Sequence, residues 1–116
     1  MRYKNLEVWK VSHELVMRVY ALTKLFPADE RYSLVDQMRR CAISIPANIA
    51  EGSGSMHAKN YSRYLCIAYS SGCELDYYLT LSKDLDYISD LEYQEMNEKL
   101  DYIQRMLSKL AQRVKR

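Results

Sequence analysis

The sequence contains few residues that make turns, with three glycines and two prolines among 116 residues. A chain this poor in turn formers favours a few long helices joined by short loops. Its apolar runs are far shorter than a membrane span, and its first residues lack the apolar stretch of a signal peptide. These absences predict a cytoplasmic helical protein that does not enter a membrane.

Cysteine and histidine are also scarce. The three cysteines, Cys41, Cys66 and Cys73, have no zinc-motif spacing, and we interpret them as small buried hydrophobic residues. The two histidines, His13 and His57, do not lie beside a serine or cysteine in a recognisable catalytic motif. No motif requires a cofactor or a metal ion. The sequence therefore predicts a protein that is not an enzyme.

Length and composition indicate one domain over residues 1–116, because a chain of this size can bury a single modest core. The 48% hydrophobic and 28% charged residues are typical of globular proteins. The net charge is only +2, but it is distributed unevenly. Residues 51–104 carry ten acidic and four basic groups, whereas the last twelve residues carry five basic groups and no acidic one. We therefore expect a cationic C-terminal end.

Apolar residues recur at helical spacing and predict four helices, over about residues 5–26, 28–51, 57–85 and 90–114. The third and fourth helices carry regular three–four seams, at Tyr61, Leu65, Ala68, Gly72, Leu75, Leu79 and Ser82 and at Tyr93, Met96, Leu100, Ile103, Leu107, Leu110 and Val114. Such seams are typical of helical bundles. The predicted fold class is all-α, an antiparallel up-down four-helix bundle.

The first helix has two apolar seams rather than one. They comprise Leu6, Trp9, His13, Val16, Tyr20 and Thr23, and Val8, Val11, Leu15, Val19, Leu22 and Phe26. A helix that is apolar on two sides in so short a chain needs two neighbours, and one of them can come from another copy of the chain. We interpret His13 as a core or interface residue, because no second metal ligand lies three or four positions away.

Several residues are expected to begin or end the helices. Asn5 is a candidate N-cap of the first helix, which Pro27 prevents from continuing. Ser89 and Glu92 have the spacing of a capping box at the start of the fourth helix. Gly52 is expected to end the second helix in a left-handed C-cap conformation.

The second helix places a polar strip beside its apolar face, at Gln37, Arg40, Ser44, Asn48 and Glu51. A strip in that position belongs at the rim of a core or in an oligomer interface. Pro46 removes one backbone hydrogen bond and should kink or loosen the helix, and Ser44 or Asn48 is expected to satisfy a freed carbonyl. Gly72 in the third helix is interpreted as a packing device that admits another helix closely.

A basic stripe on the fourth helix is the candidate nucleic-acid contact. It comprises Arg105, Lys109, Arg113, Lys115 and Arg116, and Arg39 and Arg40 are lesser candidates. One interpretation is a solvated face whose cations favour the helix C-terminus. The other is a ridge that meets phosphate groups.

The block from Gln37 to Gly52 resembles a family motif, with Gln37-x-Arg39-Arg40-x-Ala42-x-Ser44-Ile45-Pro46-x-Asn48-Ile49-Ala50-Glu51-Gly52. Leu6-Glu7-Val8-Trp9, Phe26-Pro27 with Glu30, and Cys66-Ile67-Ala68-Tyr69-Ser70-Ser71-x-Cys73-Glu74-Leu75 extend the likeness over nearly the whole chain. With these segments the sequence resembles the bacterial four-helix-bundle proteins named after intervening sequences of 23S ribosomal RNA genes. It is distantly similar to the accessory protein of diversity-generating retroelements.

The resemblance implies a four-helix bundle that assembles into a homopentameric ring. The retroelement relative binds a reverse transcriptase and nucleic acid through a basic surface, but only its pentameric architecture is expected to transfer. Two hypotheses follow. The first is a homo-oligomeric accessory or adaptor protein that binds RNA or DNA, with or without a protein partner. The second is a structural or protein–protein interaction module with no nucleic-acid role.

Overall fold

The computed structural model describes residues 2–115, which form four α-helices and no strand. The helices are α1 Glu7–Thr23, α2 Leu34–Ser53, α3 Ala58–Asp84 and α4 Asp90–Lys115, and short 3-10 turns at Arg2–Asn5 and Ala28–Glu30 precede α1 and α2. Each helix packs along the next one in the chain, and α1 also packs along α4. Neighbouring helices run in opposite directions; for example, Gly52 at the end of α2 lies against Tyr61 near the start of α3. The predicted all-α four-helix bundle is confirmed.

All four helices contribute to one hydrophobic core. The seams predicted for α3 and α4 face that core, and each seam has only its first or last members partly exposed, namely Tyr61, Tyr93 and Val114. The α2 residues Met38, Ala42, Ile45 and Ile49 lie in the core with no exposed surface. Each large side chain buried in this way stabilises the bundle by about 1.5–3 kcal/mol.

Only one of the two α1 seams enters the core. Leu15 and Val19 of that seam are fully buried. In the other seam Trp9 and Val16 are half-buried, and His13 is exposed with its ring stacked on Trp9 at a centroid distance of 5.2 Å. His13 is therefore not a core residue, and its interpretation as an interface residue stays a prediction. An apolar strip of α1 is left at the surface of the chain.

The bounds predicted for the first two helices differ from the structure. The chain leaves α1 at Thr23, three residues before Phe26, because a residue preceding proline disfavours helical backbone. A 3-10 turn and further turns then carry the chain to Leu34. Asn5 is not an N-cap, since it lies in a 3-10 turn and Leu6 takes the capping position without a side-chain bond.

The α2 helix continues through Pro46 without interruption. Pro46 frees the Ala42 carbonyl, but Asn48 donates to the Ser44 carbonyl at 2.7 Å and to the Ser44 hydroxyl at 2.9 Å. These bonds do not satisfy the freed carbonyl, so that expectation is wrong.

The expectation for Gly52 is wrong, because α2 ends one residue later and none of the described glycines has positive φ. Gly52 is buried, and an added Cβ would lie 2.9 Å from atoms of Tyr61 and Tyr64. Its lack of a side chain serves close packing of α2 on α3.

Two other predictions about α3 and α4 are confirmed. Gly72 lies beneath the Gln104 side chain, so a Cβ at this position would overlap the Gln104 amide. The capping box forms as expected: the Ser89 amide donates to Glu92 Oε1 at 2.8 Å, and the Glu92 amide donates to Ser89 Oγ at 3.0 Å. The first contact lets the α4 side chain pack directly on the α3 backbone. The second defines the start of α4.

Candidate nucleic-acid interface

The basic stripe of α4 is exposed at Arg105, Lys109, Arg113 and Lys115, and Arg116 lies outside the described residues. Arg105 forms an ion pair with Asp101 at 3.2 Å, one turn away on the same helix. Both side chains are about two-thirds exposed (66% and 65%), so this pair contributes little to stability. It does, however, partly neutralise the charge of Arg105, whereas Lys109, Arg113 and Lys115 form no ion pair within the described residues.

The topology brings other basic residues to the same end as the α4 C-terminus. In an up-down bundle the first turns of α1 and α3 share one end with the last turns of α2 and α4. The result is a group that we call the basic end, made of the exposed residues Arg2, Lys4, Lys10, Lys59, Arg63, Lys109, Arg113 and Lys115. The first five are separated from the α4 stripe in sequence, and sequence reasoning did not identify them. They could have been found from the alternating up and down direction of successive helices, which brings the starts of α1 and α3 beside the end of α4.

Contacts between the helices support this placement. Burial raises the pKa of the Tyr61 hydroxyl, and the charge of Arg113 acts on it in the opposite direction, so the start of α3 and the end of α4 are neighbours. Lys115 lines a groove with Leu65 and Cys66 of α3. On the other side of the bundle Tyr3 lines a groove with residues of α1 and α2. The three basic segments therefore surround one end of the molecule.

The charge of the basic end is poorly compensated by acidic groups. The carboxylates in these terminal turns are Glu7 and Glu51, both exposed, and the ion pairs within residues 2–115 involve none of the eight cations. At the opposite end the α3–α4 connection is acidic, because residues 84–98 contain six carboxylates and no lysine or arginine, whereas the α1–α2 connection beside it carries the exposed Lys24 and Arg31. The bundle is 44 Å long, which separates the two ends by several Debye lengths at about 0.1 M salt.

Arg39 and Arg40 are not part of the basic end. They lie in the first two turns of α2, which are in the other half of the bundle. Arg40 is exposed, whereas Arg39 is half-buried and donates from Nε to Thr23 Oγ1 at 3.0 Å. The Arg39 guanidinium also lies over the Tyr20 ring, 4.4 Å from its centroid. The structure thus separates these two candidates from the α4 stripe.

The polar strip of α2 lies at the rim of the core, as predicted. Gln37, Arg40 and Glu51 are exposed, whereas Ser44 and Asn48 are half-buried. The Ser71 hydroxyl of α3 donates to the Ser44 hydroxyl at 2.7 Å. This hydrogen bond joins the middle of the strip on α2 to α3.

A shallow apolar groove runs between α1 and α2 on the surface left by the second α1 seam. It has a volume of about 290 Å³, and its walls include Trp9, Val16, Ile43 and Pro46. Ile43 is 41% exposed. Aromatic and branched apolar side chains at a surface are characteristic of protein interfaces.

The remaining candidates for chemistry are dispersed. Within residues 2–115 there is no group of three or more metal-ligating side chains, and both histidines are exposed. The prediction of buried cysteines is confirmed only for Cys41, since Cys66 and Cys73 are exposed. Burial, followed by the nearby charge of Glu74, raises the pKa of the Cys41 thiol to about 12, which leaves it protonated.

None of the helices in the described part of the chain is long and apolar enough to cross a bilayer.

The fold and surface define an antiparallel four-helix-bundle protein with one basic end. The sequence profile of the 23S rRNA-intervening sequence proteins matches residues 4–109, and the chain belongs to this family. The protein is similar to a protein of unknown function from the S23 ribosomal protein family of Bacteroides thetaiotaomicron, at 27% identity. The match to that crystal structure covers 90% of this chain and 97% of the other, with a TM-score of 0.83. No protein with a curated functional description matches the chain.

Proposed function

We propose that this protein is a non-enzymatic, self-associating bundle that binds nucleic acid through its basic end. The observation that carries the proposal is the convergence of eight exposed cations from three separate segments, opposed by two carboxylates. Nucleic-acid phosphates bind such surfaces with release of counterions, and the affinity depends steeply on salt. Because the acidic groups of the opposite end lie beyond the screening length, the net charge of +2 does not prevent local attraction.

Charge reversal at the basic end tests this proposal. Replacing Lys59, Lys109 and Arg113 by glutamate should weaken binding to single-stranded and structured RNA at low salt. If each of these side chains meets one phosphate, the slope of log affinity against log salt should flatten by about 2–3 units. Fluorescence anisotropy with labelled oligonucleotides over a salt series measures both quantities. The affinity for DNA of the same sequence shows whether the protein distinguishes ribose from deoxyribose.

The matched control reverses three exposed cations elsewhere, at Lys24, Arg31 and Arg40. Each triple variant loses six units of charge, so both go from +2 to −4, and a general effect of net charge would weaken both equally. A loss of oligonucleotide affinity in the basic-end variant but not in the control variant supports the proposal. Equal affinity of the wild type and the basic-end variant for RNA and DNA, or equal weakening in both variants, would reject it.

Self-association is the second part of the proposal, with a homopentameric ring as the assembly that the family resemblance implies. The groove between α1 and α2 supports it, because Trp9, Val16 and Ile43 line an apolar surface and each keeps part of its side chain exposed. A ring would repeat the basic end once per subunit. Several weak phosphate contacts would then act together and raise the overall affinity.

Light scattering coupled to gel filtration tests the assembly. A pentamer of 13.7 kDa chains has a mass of about 68 kDa. Ile43→Glu should dissociate it, since a charge would be buried in the interface. Leu85→Glu is the control, because Leu85 is 44% exposed, close to the 41% of Ile43, but lies at the end of α3. A monomeric wild type at micromolar concentration would contradict the assembly.

A protein–protein interaction module without a nucleic-acid role is the second candidate. The same apolar groove favours it, because its walls are aromatic and aliphatic rather than basic. Pull-down from cells with and without nuclease separates the two candidates. Partners lost on nuclease treatment indicate nucleic-acid binding, and partners that survive it in the wild type but not in the Ile43→Glu variant indicate the protein module.

A further inference from the structure

The end of the bundle opposite the basic end contains a cavity of about 540 Å³ between the end of α1, the α1–α2 connection and the start of α2. Its volume lies in the range of small-molecule sites. Three of the lining side chains are basic, Lys24, Arg31 and Arg39, and none is acidic. We propose that this cavity binds a small organic anion, a phosphomonoester or carboxylate attached to an aromatic or aliphatic body. The proposal does not depend on nucleic-acid binding at the basic end.

Arg39 is held in place before any ligand binds. Its Nε donates to Thr23 Oγ1 at 3.0 Å, and Thr23 is itself 3% exposed and bonded to the Val19 carbonyl at 2.7 Å. The guanidinium lies over the Tyr20 ring, with Cζ 4.4 Å from the centroid. Within residues 2–115, Nε alone supplies the Arg39 hydrogen bond to protein. The two Nη groups therefore keep their donors for an external carboxylate or phosphate, whose geometry matches the guanidinium plane.

The nearby carboxylates leave these cations unpaired. Glu30 is the closest in sequence to Arg31, but its two oxygens accept bonds from Ser33 Oγ at 2.7 Å and from the Tyr87 hydroxyl at 2.8 Å. Ion pairs in the described chain are found elsewhere and include none of the three cations of the cavity. A half-buried arginine without a counter-ion raises the affinity of its cavity for an external anion.

The rest of the cavity wall indicates the nature of the ligand body. Phe26 and Val35 line it and belong to the hydrophobic core, with 7% and 6% of their surface exposed. Tyr32 also lines it, and this residue is 86% exposed. An apolar or aromatic group placed beside Phe26 would remove apolar surface from water. The Tyr32 ring, whose centroid lies 5.9 Å from the Arg31 guanidinium carbon, adds an aromatic face to the same wall. A bare inorganic ion would make only the polar contacts.

Titration of the full-length protein with phenyl phosphate, benzoate, inorganic phosphate and phenol tests the proposal. Two-dimensional NMR of the labelled protein follows the backbone amides of residues 20–40. The two aromatic anions separate a phosphate head from a carboxylate head. We expect at least one of them to bind saturably, about tenfold or more tightly than inorganic phosphate or phenol, because only the complete ligand makes both kinds of contact.

The neighbouring arginines provide a matched pair of variants. Arg39→Gln and Arg40→Gln each remove one positive charge from adjacent positions of α2, but only Arg39 lines the cavity. Arg39→Gln should weaken binding by about tenfold or more, whereas Arg40→Gln should leave it unchanged. Arg31→Gln, in the exposed connection, replaces Arg39→Gln if the latter fails to fold. Equal affinity in the wild type and the cavity variant, or no saturable binding by either aromatic anion, would overturn the proposal.

Discussion

The hydroxyl of Tyr87 donates a hydrogen bond of 2.8 Å to the Glu30 carboxylate and joins two connections that are 57 positions apart in the sequence. The Phe26 and Tyr87 rings lie beside this bond, with centroids 5.1 Å apart. Hydrogen bonds from Ser33 and Tyr87 lower the pKa of Glu30, and the bond to Glu30 raises the pKa of Tyr87. The α1–α2 and α3–α4 connections are therefore joined at the end of the bundle opposite the basic end.

Removing the Tyr87 hydroxyl should lower the thermal stability in a pH-dependent way. Because the Glu30 pKa is lowered in the folded state, its bonds stabilise the protein above the ordinary value of 4.5 and this stabilisation is lost as the pH falls through the folded pKa. The Tyr87 contribution is lost only as the pH rises through its raised pKa. The Tm difference between the wild type and Tyr87→Phe should be present at pH 7 and shrink in acid.

Tyr77→Phe is the control for this experiment, because Tyr77 is 62% exposed and its substitution should leave the melting curve unchanged at every pH. A Tyr87→Phe variant whose Tm deficit is the same at pH 3 and pH 7 would contradict the proposed bond.

Two glycines near the end of α2 should respond oppositely to alanine. At Gly52 a Cβ would lie 2.9 Å from the Tyr64 Cβ, so Gly52→Ala should destabilise the protein by about 1–3 kcal/mol. At Gly54 the nearest atom is 3.6 Å away and φ is −84°, so Gly54→Ala should stabilise it by about 0.4–1 kcal/mol through the unfolded state. Urea denaturation at equilibrium measures both. The same sign for the two variants would refute the steric role of Gly52.

Gly72 and Gln104 should show energetic coupling. Alanine at position 72 gains about 1 kcal/mol of helix propensity but must displace the Gln104 amide, which donates to the Tyr69 carbonyl at 2.8 Å. In a Gln104→Ala background the obstruction is absent, so Gly72→Ala should stabilise the protein by about 1 kcal/mol. In the wild-type background that gain should largely disappear. A double-mutant cycle from urea denaturation measures the difference, and additive effects would show that the Gln104 side chain does not obstruct a Cβ at position 72.

The three thiols should differ in reactivity. Cys41 is buried and its pKa is raised to about 12, so a disulfide reagent at pH 8 should modify it only when the protein unfolds. Labelling of the native protein should therefore involve no thiol beyond Cys66 and Cys73. Cys41→Ser should leave the native count unchanged and lower the count in denaturant by one. Rapid modification of Cys41 in the native protein would contradict its burial.

Sequence periodicity predicted the core of α3 and α4 well. Leu75, Leu79, Ile103 and Leu107 were expected in the seams, and each is at most 1% exposed. Such seams can be read from sequence because helical geometry returns every third or fourth side chain to the same face. The capping box at Ser89 is also local, since both its bonds join residues three positions apart. Its prediction required no knowledge of the neighbouring helices.

Predictions that depended on neighbours were less successful. Cys66 and Cys73 lie in a helix as expected, but both are exposed at the side of α3 that borders α4, where Cys73 Sγ accepts from Gln104 Nε2 at 3.6 Å. Position in a helix alone does not specify burial. Gly52 was assigned a conformational role because glycine commonly ends helices, whereas the approach of Tyr61 and Tyr64 gives it a steric one. Arg39 was predicted from the sequence as a lesser nucleic-acid contact beside the basic stripe of α4. Its hydrogen bond to Thr23 instead places it in the other half of the bundle.

The sequence by itself determined four amphipathic helices, the members of most apolar seams and the family of the protein. These features follow from backbone geometry and short-range spacing, which act within one helix. Only the tertiary structure decided which α1 seam enters the core and which cations share an end. The antiparallel packing brings Lys10, Lys59 and Lys109 to one end and encloses the cavity beside Arg39 at the other. Both arrangements arise from contacts between helices, which no periodicity within a single helix contains.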